Sequence, residues 1–152
     1  MSKASDIAAE LTARIAKITK ANGYATDIGR HVFRGKRRLD EETHLPCVIL
    51  VEGNDSPKTD DSLTAVGIEQ AYVFESHDAC DPHNPNDKAH LMITDLKRAI
   101  FSGEPKHGMR LNGKVKALNY KGRVMGARED GASMVFAGIH ITVFYIEDLT
   151  NP

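Results

Sequence analysis

Two long runs of alternating side chains constrain the fold of this chain more than any other feature. One extends over thirteen residues from Ala65 to His77, and the other over thirteen residues from Met134 to Ile146. Alternation with a period of two predicts β-strands. Strands of this length would span roughly 40 Å, whereas a typical strand has about five or six residues.

Strands this long have more surface than the rest of a small domain can easily cover. A chain of 152 residues has the length of one ordinary domain, and two helices in such a domain cannot cover both strands completely. Either the strands bend, at Gly67 and Gly138, or they project beyond the core and are covered by another subunit. The last strand is apolar on both faces, and an exposed apolar surface usually marks an interaction site. Projection is therefore favoured.

Two segments have the period of amphipathic helices. Residues 5–21 carry an apolar stripe, with serine N-caps available at Ser2 and Ser5 and a left-handed stop at Asn22-Gly23. Residues 86–101 return to the same period before Gly103 and Pro105 end it. We expect both helices to lie on a sheet.

The rest of the chain predicts further strands. A short strand is expected within residues 23–38, a buried strand at 45–53 and a loop at 54–62. Two short strands are expected on either side of a turn at Lys121-Gly122. The order α-β-β-β-α-β-β, with or without a further strand, predicts one α+β domain over residues 1–152. Its sheet is mainly antiparallel, or mixed, with both helices on one face.

Composition argues against several classes of protein. The formal net charge is −1, from 20 basic and 21 acidic residues, so no overall field attracts nucleic acid or an anionic membrane. No apolar run approaches the length of a membrane span, and the first residues lack the apolar core of a signal peptide. The two cysteines do not form a disulfide framework. We expect the chain to be made and kept in a cytoplasm.

The stretch "HDACDPHNP" is the main candidate for chemistry. It spaces His77, Cys80 and His83 three residues apart, and His90 follows one turn into the second helix. Structural zinc sites usually take ligands as close pairs from two segments, which this spacing lacks. A Cys80 nucleophile with a neighbouring histidine as base is weaker still, because sequence neighbours in a loop seldom have the required geometry. A strand-to-helix connection explains the same residues, so we expect no metal ligand and no catalytic residue here.

Known enzyme motifs are missing as well. The sequence contains no phosphate-binding loop, no dinucleotide fingerprint, no nucleophile elbow and no zinc-protease motif. No cofactor is therefore expected.

The segment "RGKRRLDEE" places basic residues directly before acidic ones. Its basic members are Arg34, Lys36, Arg37 and Arg38, and its acidic members are Asp40, Glu41 and Glu42. Nucleic-acid binding favours an uncompensated basic patch with interleaved aromatics, which this segment is not. A solvated loop is the default interpretation. If the segment is functional, paired opposite charges suit a head-to-tail contact between subunits of a ring.

The chain as a whole resembles a known family. The opening helix leads into "NGYATDIGRHVFRGKRR", followed by "LPCVILVEGND", "AVGIEQAYVFESHDACDP", the helix "DKAHLMITDLKRAIF" and the closing "FAGIHITVFYIED". In pattern and element order these segments resemble the tail terminator proteins, also called tail completion or minor tail proteins, of tailed bacteriophages and prophages.

The resemblance implies a structural role in the virion tail, after assembly in the host cytoplasm. Such a subunit forms a ring, typically of six copies, that caps the tail tube, ends its polymerisation and meets the head completion proteins. The expected partners are further copies of the chain, the tail tube protein and the head completion protein. The family has no catalytic residues. From charge and predicted exposure, the expected contacts are the segment from Arg34 to Glu42 and the turn carrying Lys121 and Arg123.

Two alternatives remain open. One is a small metal-dependent enzyme that uses His77, Cys80 and His83, with His90 as a further ligand. The other is a related head-to-tail connector subunit of the phage neck, which is also a structural protein.

Overall fold

The chain forms a five-stranded mixed sheet with two helices on one face, which confirms the predicted α+β class. A computed structural model describes residues 2–35, 39, 44–58, 63–105, 109–126 and 130–152. Two short 3₁₀ turns lie between the first helix and the first strand. In chain order the elements are α1 (Lys3–Ile15), the 3₁₀ turns Lys20–Asn22 and Ile28–Arg30, β1 (Val32–Arg34), β2 (Cys47–Lys58), β3 (Ala65–Ala79), α2 (Pro85–Phe101), β4 (Ala117–Met125) and β5 (Met134–Asp148).

The pairing of β3 with β5 forms the centre of the sheet. The strand order is β1-β2-β3-β5-β4, with β1 parallel to β2 and every other pair antiparallel. The β3–β5 ladder runs without a register shift from Ala65 opposite Asp148 to Ala79 opposite Met134. The two predicted long strands are therefore confirmed, and each is slightly longer than expected. The pairing passes unbroken through Gly67 and Gly138.

One face of the sheet, the helix face, packs against α1 and α2. The alternating residues of β5 that were predicted on one face are all buried there, as are Tyr72 and Phe74 of β3. The helices contribute the other side of this core, with Ile7 and Leu11 from α1 and Met92 from α2 among the buried side chains. Neither helix of the described residues is long and apolar enough to cross a membrane.

The first helix ends earlier than predicted. Ser2 is its N-cap, and α1 stops at Ile15 instead of continuing to residue 21. The chain turns here so that Ile18 enters the core and its carbonyl oxygen accepts a hydrogen bond from the Gly29 N–H at 2.9 Å. The predicted left-handed stop at Gly23 exists, with a φ of 84°, but it ends the first 3₁₀ turn.

A buried carboxylate fixes the connection that follows. Asp95 of α2 accepts hydrogen bonds from the backbone N–H groups of Ala25 and Thr26, at 3.2 and 2.8 Å, and from the Thr26 hydroxyl at 2.7 Å. Asp95 and Thr26 are fully buried, and a buried charge is tolerated where it is hydrogen-bonded in this way. These bonds hold the chain before β1 against α2.

Two local predictions were wrong. Residues 54–58 continue β2 rather than forming a loop, after a bulge between Glu52 and Asp55. Lys121-Gly122 is not a turn, because β4 is one strand with a bulge between Tyr120 and Gly122. Edge strands and bulges accept Asn, Pro and Gly, which predict loops when the sequence is considered alone. The short strand expected within residues 23–38 is confirmed as β1, Val32–Arg34, and a 3₁₀ turn at Ile28–Arg30 precedes it.

Gly138 and Gly67 allow a test of how closely the central strands approach their neighbours. A Cβ at Gly138 would lie 2.1 Å from the Phe74 carbonyl oxygen, which is backbone. A Cβ at Gly67 would lie 2.7 Å from the ring end of Phe144, a side chain that can rotate away. We expect Gly138→Ala to lower the free energy of unfolding by about 3 kcal/mol and Gly67→Ala by about 1 kcal/mol, measured by urea unfolding. Equal losses would contradict this account of the central strands.

Candidate subunit interface

The stretch "HDACDPHNP" forms the connection from β3 to α2, as the favoured interpretation predicted. Asn84 occupies the N-cap position of α2, Pro85 begins the helix, and Asp87 lies in its first turn. The Asp81 carboxylate accepts a hydrogen bond from the His83 N–H at 2.9 Å. Lys88 makes an ion pair with Asp78 at 3.0 Å, so the helix start is tied to the end of β3.

The three proposed metal ligands do not converge. His77 lies within β3 with its side chain on the second face of the sheet, the face opposite the helices. Cys80 packs against the helix-side core, with its Sγ 3.9 Å from the Ala132 carbonyl oxygen. His83 is exposed, and His90 lies on α2 with its Nδ1 3.4 Å from Arg123. Within the described part of the chain, no group of three or more His, Cys, Asp or Glu residues could hold a metal ion.

His77 is half-buried between two strands. It lies directly opposite Cys47 of β2 and Phe136 of β5, and its ring centroid is 4.9 Å from that of Phe136. Its Nδ1 is buried without a hydrogen-bond partner, and burial lowers the pKa of the imidazole from its usual value of 6.5. A neutral histidine suits this surrounding, because protonation would place a charge among apolar groups.

The second face of the sheet carries many apolar side chains. Cys47 and Ile49 at one end of β2 are fully buried although they point away from the helix-side core. Half-buried apolar residues continue along β2 and across the other strands: Val51, Val73, Phe136, Phe144, Ile146 and Val124. The predicted apolar character of the second face of β5 is therefore correct. Neither α1 nor α2 covers it.

The far end of β2 is the part of the sheet that the core leaves uncovered. All seven residues from Glu52 to Lys58 are exposed, on both faces of the strand. The strand β1 pairs only with Val48, Ile49 and Leu50. Beyond Leu50, no described strand pairs with the outer edge of β2. This segment, Glu52–Lys58, is called the β2 arm below.

The strand β4 forms the opposite edge of the sheet. Its helix-side residue Tyr120 lies under Lys97, whose Nζ is 4.6 Å from the ring centroid, and packs edge-on against Phe101. Lys121 and Arg123 are exposed beside it. From Lys114 to Met125 the sequence contains four basic residues, Lys114, Lys116, Lys121 and Arg123, and no acidic one. The edge is therefore basic.

The predicted interface residues have different outcomes. Lys121 and Arg123 are exposed as expected, but on a sheet edge instead of a turn. Arg34 ends β1, where its Nη2 lies 3.8 Å from Glu52 Oε1 of the β2 arm. The remaining residues of the charged segment lie outside the described residues: Lys36, Arg37, Arg38, Asp40, Glu41 and Glu42.

Sequence reasoning missed the acidic residues of the β2 arm. Glu52 was assigned to the end of a buried strand and Asp55 to a loop. Both lie on the helix face, opposite Tyr72 and Gln70 of β3. The Glu52 carboxylate is close enough that, after burial itself, it is the main cause raising the pKa of the Tyr72 phenol. Their edge position depends on strand pairing, which no local pattern encodes.

Comparisons with known proteins do not identify the chain. A scan against protein-family models found no matching family, and a search of curated proteins found no matching relative. The resemblance to tail terminators therefore stays a prediction.

The lowered pKa of His77 predicts how stability depends on pH. As the pH falls below about 6.5, the unfolded chain binds a proton at this residue while the folded chain does not. Stability is therefore lost as the pH falls from about 6.5 through the lower folded pKa. We expect His77→Gln to reduce the loss of unfolding free energy between about pH 7.5 and about pH 5.5, measured by urea unfolding.

The matched control is His83→Gln, because His83 is exposed in the connecting loop. Between about pH 7.5 and about pH 5.5, His83→Gln should lose as much unfolding free energy as the wild type does. If His77→Gln loses as much stability as the wild type between these pH values, His77 is not the group responsible.

Proposed function

We propose that the protein is a structural subunit of a bacteriophage tail that acts by forming a ring. In this proposal the ring, typically of six copies, caps the tail tube, ends its polymerisation and joins the tail to the head completion proteins. Its partners are further copies of the chain, the tube protein and the head completion protein. It carries out no chemical reaction.

The β2 arm is the observation that carries the proposal. A strand of seven consecutive exposed residues adds nothing to the core of its own subunit, while the adjoining parts of β3 and β5 stay largely buried. Exposed strands usually carry devices against unwanted pairing, and the arm has two, the bulge after Glu52 and Pro57. The β2 arm is an exposed sheet edge, paired with β3 on its inner side, and an edge protected in this way suits a surface that pairs only with a particular partner.

The second face of the sheet supports the same role. Apolar side chains extend from Val51 through Val73 to Phe144 without a helix over them. A subunit that works only in an assembly can leave such surface for its neighbours.

The test is the mass of the protein in solution, alone and with the tail tube protein encoded by the same genome. We expect a complex of about six copies on or beside the tube protein, seen by analytical ultracentrifugation and as rings by electron microscopy. A monomer alone would be compatible with assembly on the growing tube. A protein that stays monomeric both alone at high concentration and with the tube protein would contradict the proposal.

The position of the gene separates a terminator from a neck connector. We expect the coding sequence to lie between the genes of the head completion proteins and that of the tail tube. A gene located among the head and portal genes would favour the connector.

A further inference from the structure

We propose that neighbouring copies in the ring meet edge to edge, with β4 of one copy against the β2 arm of the next. The proposal rests on the ring proposed above and names the surfaces that form it. It follows from the position of the charged groups along the strands, the face of the sheet on which they lie, the direction of the two edge strands and the sign of the charges.

The two edges carry charged groups at the same height along the strands. In the register of the sheet, Glu52 lies opposite Tyr72, Tyr72 opposite Ile141, and Ile141 opposite Tyr120. Lys121 is the next residue, at the bulge. One row across the sheet thus ends at one edge in Glu52, whose other charged neighbour is Arg34 at 3.8 Å, and lies beside the basic Lys121 at the other edge. Rotation about an axis along the strands keeps these heights, so it brings Lys121 of one copy level with Glu52 of the next.

The charges also lie on compatible faces. Glu52 and Asp55 point to the helix face, because their partners Tyr72 and Gln70 belong to the alternating set of β3 that faces the helices. Arg123 is on the same face, opposite the buried Ile139 and next to His90 of α2. In a ring every copy turns its helix face the same way. Charged groups on the helix face of β4 in one copy therefore meet charged groups on the helix face of the β2 arm in the next copy.

The direction of the strands fits a continuous sheet. Antiparallel pairing of β2 with β3, β3 with β5 and β5 with β4 makes β4 antiparallel to β2 within one subunit. After rotation about the ring axis, the next copy's β2 keeps its direction and is antiparallel to the first copy's β4. Hydrogen bonds between the edges are then possible at residues whose N–H and C=O point outward.

Only a short ladder can form between the edges. The Phe136 and Phe144 carbonyls of β5 accept hydrogen bonds from the Gly126 and Lys116 N–H groups, so the even-numbered residues of β5 face β4. Their partners in the register point inward, and the outward backbone groups of β4 belong to Leu118, Tyr120, Arg123 and Met125. On the β2 arm Pro57 has no N–H, and both edges contain a bulge. Side-chain charge therefore supplies much of the selectivity, and the contact should weaken with added salt.

A symmetric contact between two β4 edges is disfavoured by the same charges. It would place Lys121 and Arg123 against their own copies, and like charges across an interface cost free energy. A head-to-tail contact uses two different surfaces on each copy. Such contacts close into rings when the rotation allows it.

The first experiment is crosslinking between two variants that each carry one introduced, exposed cysteine. Lys121→Cys and Glu52→Cys are each made with Cys80→Ala, while the buried Cys47 is kept. They are treated with a short bismaleimide at high protein concentration, separately and mixed. We expect covalent dimers in the mixture and almost none in either variant alone. The variant carrying both cysteines should give a series of larger products ending at the size of the ring.

The results separate this inference from the ring proposal. Dimers from Lys121→Cys alone would show a symmetric β4 contact and overturn the inference. If no dimers form in the mixture while the wild type forms rings in the electron microscope, the edges named here are wrong and the ring proposal stands. If there are neither dimers nor rings, with or without the tube protein, both fail.

The second experiment exchanges the charges. One variant carries Lys121→Glu and Arg123→Glu, and the other carries Glu52→Lys and Asp55→Lys. Each alone should associate at least about tenfold more weakly than the wild type, since like charges then face each other. Mixing them restores opposite charges at every contact, so crosslinking and assembly should return.

The matched control is Lys17→Glu with Lys20→Glu, which changes the same number of exposed basic residues near the end of α1. It should associate as the wild type does. An equal loss in this control, or no recovery in the mixture of the two exchanged variants, would overturn the inference.

Discussion

The unbroken pairing of β3 with β5 is the constraint on which the rest of this structure depends. Both strands run for 15 residues, and each residue of one lies opposite a residue of the other. Because side chains alternate between faces, a slip by one residue would turn Tyr72 and Phe74 away from the helices. The apolar stripes of α1 and α2 therefore fix the register of β3 and β5. That register in turn sets the positions of β2 and β4 along the strand direction on either side.

A central pair of this length makes the sheet larger than two helices can cover. The excess becomes the β2 arm at one edge, the basic strand β4 at the other, and a second face with half-buried apolar side chains. Each of these is a weakness in an isolated subunit, since open edges and apolar faces promote association. In a ring the same features become contacts. These features are the ground on which we propose a structural role, and within the described residues His77, Cys80 and His83 do not gather at one site.

Much of this fold could be predicted because a helix or strand with one buried side has apolar residues at a regular spacing in the sequence. The faces of β3 and β5 were predicted correctly, since each strand has one side packed in the core. On α2 the apolar stripe was predicted correctly, but Asp95 was expected on the outer face and is buried. Prediction failed where local chemistry and long-range pairing disagree. Asp55 and Pro57 resemble loop residues but lie in an edge strand, and Gly122 resembles a turn but lies beside a bulge. The opposed charges of Glu52 and Lys121 were not predictable, because Glu52 comes level with Tyr120, the neighbour of Lys121, only through three successive strand pairings.

The most direct test of the central claim is the length of tails assembled without this protein. Tails from a phage or prophage lacking the gene can be measured by electron microscopy and compared with those of the parent. A ring-forming cap predicts tubes that grow well beyond the normal length and fail to join heads, with normal length restored when the gene is supplied in trans. Tails of normal length, joined to heads in the absence of the protein, would contradict the account.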